Sequence, residues 1–150
     1  MARRSAEPAL VALDSSCLVA IVSEWHEQHA VTISAVERRL DASARLVLPA
    51  HALAEAYCVL TRLPAPYRLS AADAWRLLAG FEKESETVAL DGPEYWSLLR
   101  RAPDDGIYGG RIYDAIIAAC ARKGGARELL TLNAKHFEPF ADEPLRVSSP

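Results

Sequence analysis

From Arg111 to Gly125 the chain reads RIYDAIIAACARKGG, and from Ala115 to Ala121 it contains no polar side chain. A helix on a protein surface shows one apolar stripe, whereas a helix apolar all round lies inside, so this stretch predicts an interior helix covered by other elements. Asp114, in its first turn, is then the anomaly. A carboxylate entering a core is costly unless it is paired, hydrogen-bonded or bound to a metal, although the amides at a helix start lower that cost. A helix-start acid and a functional acid both fit it. The other acids of the chain decide between them.

The short apolar run Ala9 to Leu13 ends abruptly in Asp14, which suits a parallel strand buried on both faces with an acid at its carboxyl end. Ser15 and Ser16 follow, and the apolar pattern of Cys17 to Val22 predicts a helix. In open α/β sheets this strand end is where ligands bind. Glu24 to Ala44 has the spacing of an amphipathic outer helix, with His26 and His29 as a solvated pair. Leu46 to Leu48 predicts a second strand, and Pro49 fits the first position of a helix running to Leu63. Between Ala42 and Ala72 the only acid is Glu55, set among Ala, Leu, Tyr and Val. His51 lies one turn before it, as a polar neighbour.

Ser70 and Asp73 predict a capping box for a packing helix through Trp75, Leu77, Leu78 and Phe81. Thr87 to Leu90 is the third predicted strand, and Asp91, Pro93 and Glu94 supply the cap, first-turn proline and capping acid of the next helix. The loop Ala102 to Gly110 reads as a solvated connection. Gly124 and Gly125 stop the central helix. Glu128 to Leu132 is a fourth strand ending at Asn133, NAKHFEPF a helical turn, and Leu145 to Val147 an edge strand. Strands alternating with helices imply an α/β three-layer sandwich with a central, mostly parallel sheet.

Composition narrows the class. A chain of 150 residues, 51% of them hydrophobic, fits one domain spanning 1–150. Cys17, Cys58 and Cys120 are odd in number and lack metal-ligand spacing, so they read as reduced core residues of a cytoplasmic protein. No run is long enough to span a membrane, and MARRSAEP has no hydrophobic signal region, so neither membrane insertion nor secretion is expected. A net charge of −3 argues against broad binding of a polyanion. A nucleic-acid role therefore needs a metal or a local basic patch; among Arg100, Arg101, Arg111, Arg122 and Lys123, Arg111 stands nearest Asp114 in sequence.

Asp14, Glu55 and Asp114, with Asn133, can all converge at one sheet edge. Three acids in one pocket repel, and a hard divalent cation neutralises them; an oxygen-only donor set suits Mg²⁺ or Mn²⁺ and the hydrolysis of phosphodiesters. ALDSS, LAEAY, IYDAIIAACARKGG and TLNAKHF, in this order from about Ala9 to Val147, together resemble PIN-domain ribonucleases of the VapC toxin type. The resemblance implies an α/β/α sandwich, Mg²⁺-dependent endonucleolytic cleavage of RNA, a cognate antitoxin as partner and a homodimer. It also implies that Asp14, Glu55 and Asp114 are catalytic metal ligands, that the Ser16 hydroxyl assists, and that Asn133 lies at the rim. The chain departs from the pattern where many relatives carry a fourth acid: it offers Asn133 and His136, with Glu138 and Asp142 nearby, which puts a second tightly held metal in question. A phosphatase of the haloacid-dehalogenase type would want an acid where Ser16 stands, and a response-regulator receiver would want an early acid pair and a late Lys, for which Lys135 is a faint match. A PIN-like binding module that has lost catalysis is the non-enzymatic alternative.

Overall fold

The computed structural model describes residues 7–150; most of the amino-terminal segment read above for a secretion signal lies outside them. The elements run β1 (Leu10–Leu13), α1 (Ser15–Val22), α2 (His29–Asp41), β2 (Arg45–Pro49), α3 (Ala50–Arg62), α4 (Ala71–Ala79), β3 (Ser85–Val88), α5 (Gly92–Arg101), α6 (Arg111–Lys123), β4 (Glu128–Leu130), α7 (Ala134–Phe137), a 3₁₀ turn (Glu138–Phe140) and β5 (Arg146–Ser148). All strand pairings are parallel, in the order β3-β2-β1-β4-β5.

That order steps outward from β1 to β3 and then reverses to β4 and β5. Right-handed crossovers consequently set α1 to α4 on one face and α5 to α7 on the other. The reversal leaves a crevice beyond the carboxyl ends of β1 and β4, where the crossovers diverge. Asp14 directly follows β1, and Thr131 directly follows β4.

The inner strands explain the apolar runs. Leu13, Val47, Leu48, Leu129 and Leu130 are fully buried because helices cover both faces of the sheet. The outer strand β3 carries exposed Glu86 and Thr87 and begins at Ser85 rather than Thr87. An edge strand tolerates polar residues, which hid its start. The central helix α6 is interior as predicted: Ala115 to Ala118, Cys120 and Ala121 are buried. Its end passes so close to the sheet that a Cβ on Gly124 would stand 2.6 Å from Val47 Cγ1 and 3.0 Å from Val88 Cγ2. Gly125 follows with φ +76°, the left-handed turn that a glycine adopts without strain.

Other expectations need correction. The helix expected from Glu24 begins at His29, because the chain first turns through 24–28, where His26 Nδ1 accepts from the Gln28 amide. The two histidines are not a solvated pair: His29 Nδ1 is 2.8 Å from the Ala20 carbonyl oxygen and ties α2 back to α1. Pro49 closes β2 and precedes the helix instead of opening it. On α4 the Ser70 cap forms, but Trp75 and Leu77 face solvent and only Ala74 and Leu78 are buried. Cys58 is exposed, while Cys17 and Cys120 lie in the core. The capping box of Asp91 and Glu94 forms as read.

Candidate active site

The crevice is built around Asp14. Only 2% of this residue is exposed, yet among the described residues no Lys or Arg is ion-paired with it. Its Oδ1 accepts from the Ser16 amide, which makes it the N-cap of α1, while Oδ2 accepts from the Thr131 hydroxyl and, at 3.1 Å, from the Ser16 hydroxyl. Burial pushes the Asp14 carboxyl above its ordinary value, and the Thr131 hydroxyl is the strongest influence opposing that rise. The donors are themselves anchored: Ser16 Oγ accepts from the Leu132 amide and Thr131 Oγ1 from the Asn133 amide, both at 2.9 Å. The chain leaving β4 is thus laced to the start of α1.

Glu55 reaches the crevice from α3, where its Oε1 accepts from the Ser15 hydroxyl at 2.5 Å. His51 Nε2 stands 3.7 Å from its other oxygen. The His51 ring stacks on Tyr113 of α6, centroids 4.9 Å apart and 11° from parallel, so α3 and α6 close over the acids together. Asp114 enters from the first turn of α6. Its carboxyl is raised, first by burial, against the lowering influence of His136; the negative charges of Glu55 and Asp14 add to the rise. His136 Nδ1 lies 3.9 Å from Asp114 Oδ2.

Asp14, Glu55 and Asp114 therefore face one edge, and Asp114 feels the charge of the other two. Among the described residues, none of the three is ion-paired with Lys or Arg, whose pairs go to Glu128, Asp73 and Glu94. Nor do three or more acidic, His or Cys side chains form a ready-made metal cage. Glu55 is turned to Ser15 and Asp114 to His136. Ser15, Ser16, Glu55 and the exposed Asn133 line one cleft of about 660 Å³. Arg111, three residues before Asp114, donates to the His136 carbonyl oxygen at 3.2 Å, and its charge partly offsets the rise of the Asp114 carboxyl. The donors present, carboxylates with hydroxyl and carboxamide oxygens, fit a hard divalent cation, and a buried Asp14 without a cationic neighbour is a position where such charge would be favoured.

Sequence reasoning missed Thr131 and Ser15. A hydroxyl has no periodicity to give it away; the one signal for Thr131 was its place as the first polar residue after the apolar end of β4.

The doubly wound parallel sheet with acids at its switch point agrees with the PIN-domain family, and the chain belongs to it: the family profile, described as PIN domain, matches residues 11–142. Within that family it is similar to ribonucleases of the VapC type. Ribonuclease VapC40 of Mycobacterium tuberculosis is 36% identical over 138 residues, 92% of this chain and 96% of that protein. Ribonuclease VapC27 of the same organism is 36% identical over 130 residues, covering 87% and 89%. Among solved structures, VapBC2 from Rickettsia felis, bound to a DNA fragment from its promoter, superposes with a TM-score of 0.64 at 17% identity, over 94% of this chain and 98% of that one. VapBC-1 from nontypeable Haemophilus influenzae gives 0.62 at 18% identity, over 93% and 97%.

Proposed function

We propose that this single PIN-like domain is the toxin of a toxin–antitoxin pair, a nuclease that hydrolyses RNA phosphodiester bonds at the acid edge with Asp14, Glu55 and Asp114 holding Mg²⁺, or Mn²⁺ in its place. The observation that carries this reading is the placing of Asp114 within reach of the charges of Glu55 and Asp14, with none of the three ion-paired to Lys or Arg among the described residues. A divalent cation bound there supplies charge neutralisation, Lewis-acid activation of water and stabilisation of the leaving oxygen. The chain's own groups do the positioning. Ser16 and Thr131 fix the orientation of Asp14 through their hydroxyls, Ser15 holds Glu55, and His136 faces Asp114. Asn133, exposed at the rim, offers a carboxamide to the substrate or to the ion, so one tightly held metal rather than two is expected. Arg111 contacts the RNA. The VapBC names of the similar structures support an antitoxin as partner, and a homodimer completes the assembly by the same analogy.

The test is digestion of RNA by the purified protein with and without Mg²⁺, with the cut positions mapped. Internal cuts that appear only with the metal support the proposal. Metal binding without cleavage would favour the binding-module alternative, and cleavage unaffected by chelation would remove the metal from the reaction.

A further inference from the structure

A second cleft, of about 710 Å³, lies between α5, the 102–110 loop, α6 and the 3₁₀ turn. Arg101, Arg111 and Arg122 all line it, with Tyr108 and Phe140. In a chain of net charge −3 this is a local reversal of sign. Among the described residues, none of the three guanidinium groups is ion-paired. Two are anchored by backbone oxygens instead: Arg111 donates to the His136 carbonyl, and Arg122 to the Phe140 carbonyl. The Arg111 guanidinium also sits 5.8 Å from the Phe140 ring centroid. A guanidinium held by one nitrogen keeps other donors for a phosphate and loses little freedom on binding it.

Asp105 and Asp142 share the lining. Two carboxylates against three guanidiniums leave a modest positive balance, suited to one or two phosphodiesters and not to a dense polyphosphate. Tyr108, 79% exposed, adds an open aromatic face. Arginines tracking a backbone beside an aromatic platform are the pairing that holds single-stranded nucleic acid, whose base faces are free to stack. Among the described residues, the cleft on the Glu55 side carries no Lys or Arg, so phosphate grip is concentrated on the Arg111 side.

We propose that the arginine cleft is a subsite for single-stranded RNA, holding one or two phosphodiesters on Arg101, Arg111 and Arg122 and an unstacked base on Tyr108, adjacent to the bond that is cut. It rests on the RNA-cleaving reading above, and Arg111, three residues before Asp114 on α6, joins the two places. The cleft binds RNA whether or not the acid edge is charged with metal.

The test is anisotropy of a short labelled single-stranded oligoribonucleotide in EDTA, so that binding is read without cleavage, across a salt series. Each lost phosphate contact on a single strand removes about 0.7 from the slope of log affinity against log salt. The Arg101→Ala/Arg122→Ala protein should therefore lose about 1.4 in slope, which is about 25-fold in affinity between 1 M and 0.1 M salt. Arg101→Lys/Arg122→Lys should keep most of the slope, Tyr108→Ala should weaken binding without changing it, and Arg76→Ala, on the far α4, should change nothing. Unaltered affinity and slope in the Ala pair would overturn the subsite while leaving cleavage intact, as would a cleft that serves an acidic protein partner. A slope that falls as stated in a protein that never cuts RNA would uphold the subsite and sink the nuclease reading instead.

Discussion

Thr131→Val probes the contact on which the geometry of Asp14 depends. Thr131 is fully buried; its hydroxyl donates to Asp14 Oδ2 and accepts from the Asn133 amide. Valine keeps the shape and removes both bonds. A hydrogen bond to a charged group contributes about 1.5–3 kcal/mol and a neutral one about 1 kcal/mol, while the extra buried methyl offsets about 0.8 kcal/mol. The net loss is about 2–3 kcal/mol at neutral pH. Its pH dependence has a definite sign. Asp14 has a folded-state pKa raised above 3.8, so its contribution to stability is fully present below that value and is lost as pH rises through the folded pKa. Removing the strongest opposing donor raises the folded pKa further. The penalty of Thr131→Val should accordingly be greatest above that folded value and shrink as pH falls through it, because a protonated Asp14 has no charge to stabilise. Urea titrations across that range read it, and repeating them in the Asp14→Asn background isolates the coupling. A penalty below about 0.5 kcal/mol, or one that is flat with pH and the same in the Asp14→Asn background, would refute the reasoning.

Further expectations follow from other contacts. Asp114→Asn should lower metal-dependent RNA cleavage by more than the 10- to 100-fold typical of losing a ligand's supporting partner, while raising the melting temperature near neutral pH, since it removes a half-buried charge that Glu55 and Asp14 repel; lost activity with lost folding would assign Asp114 a structural part. Asn133→Asp should tighten Mg²⁺ binding by adding charge at the rim, and calorimetry showing two tight sites in the parent would contradict that. Gly124→Ala should destabilise by about 1–3 kcal/mol in chemical denaturation, because its methyl would overlap Val47 and Val88. Arg39 grips Glu128 with two nitrogens, at 2.8 and 2.6 Å, and its hydrogen bond is the main cause of a Glu128 pKa below 4.5. That pair adds stability above pH 4.5 which is lost as pH falls through the depressed value, so Arg39→Met should cost about 1–3 kcal/mol at pH 7 and little in strong acid.

What could be read from the amino acids alone was what stood out of context. Asp14, Glu55 and Asp114 were legible because each interrupts apolar sequence, and β1, the Leu46–Leu48 stretch of β2 and the Ala115–Ala121 stretch of α6 because burial keeps those stretches free of charged residues. The edge strand β3 was half hidden, since Glu86 and Thr87 are tolerated where one side meets water. The start of α2 was misplaced because the residues between Glu24 and Gln28 have a composition as fit for a turn as for a helix. Trp75 and Leu77 were read as packing, yet apolar content does not say which face an α4 side chain takes. Thr131 and Ser15 were invisible for a different reason: their partners lie 117 and 40 residues away, and only the sheet order brings them together.

The distribution of charge follows from what the two clefts must each do on the proposed reading. Two unit charges 4 Å apart repel or attract by about 4 kcal/mol near a protein surface, so a phosphodiester brought to three carboxylates without a cation among them would be repelled. The fold could have neutralised those acids with its own cations. Instead, Arg39, Arg76 and Lys123 are committed to Glu128, Asp73 and Glu94, the acids are held by hydroxyls and imidazoles, and the unpaired guanidiniums stand in the neighbouring cleft. Arginines inserted among the acids would be permanent and would compete with a divalent ion for the same oxygens; placed beside them, they can hold RNA while the carboxylates stay available. Binding and cleavage then depend on different charges, which is why RNA should still be retained in EDTA while cutting should require the metal.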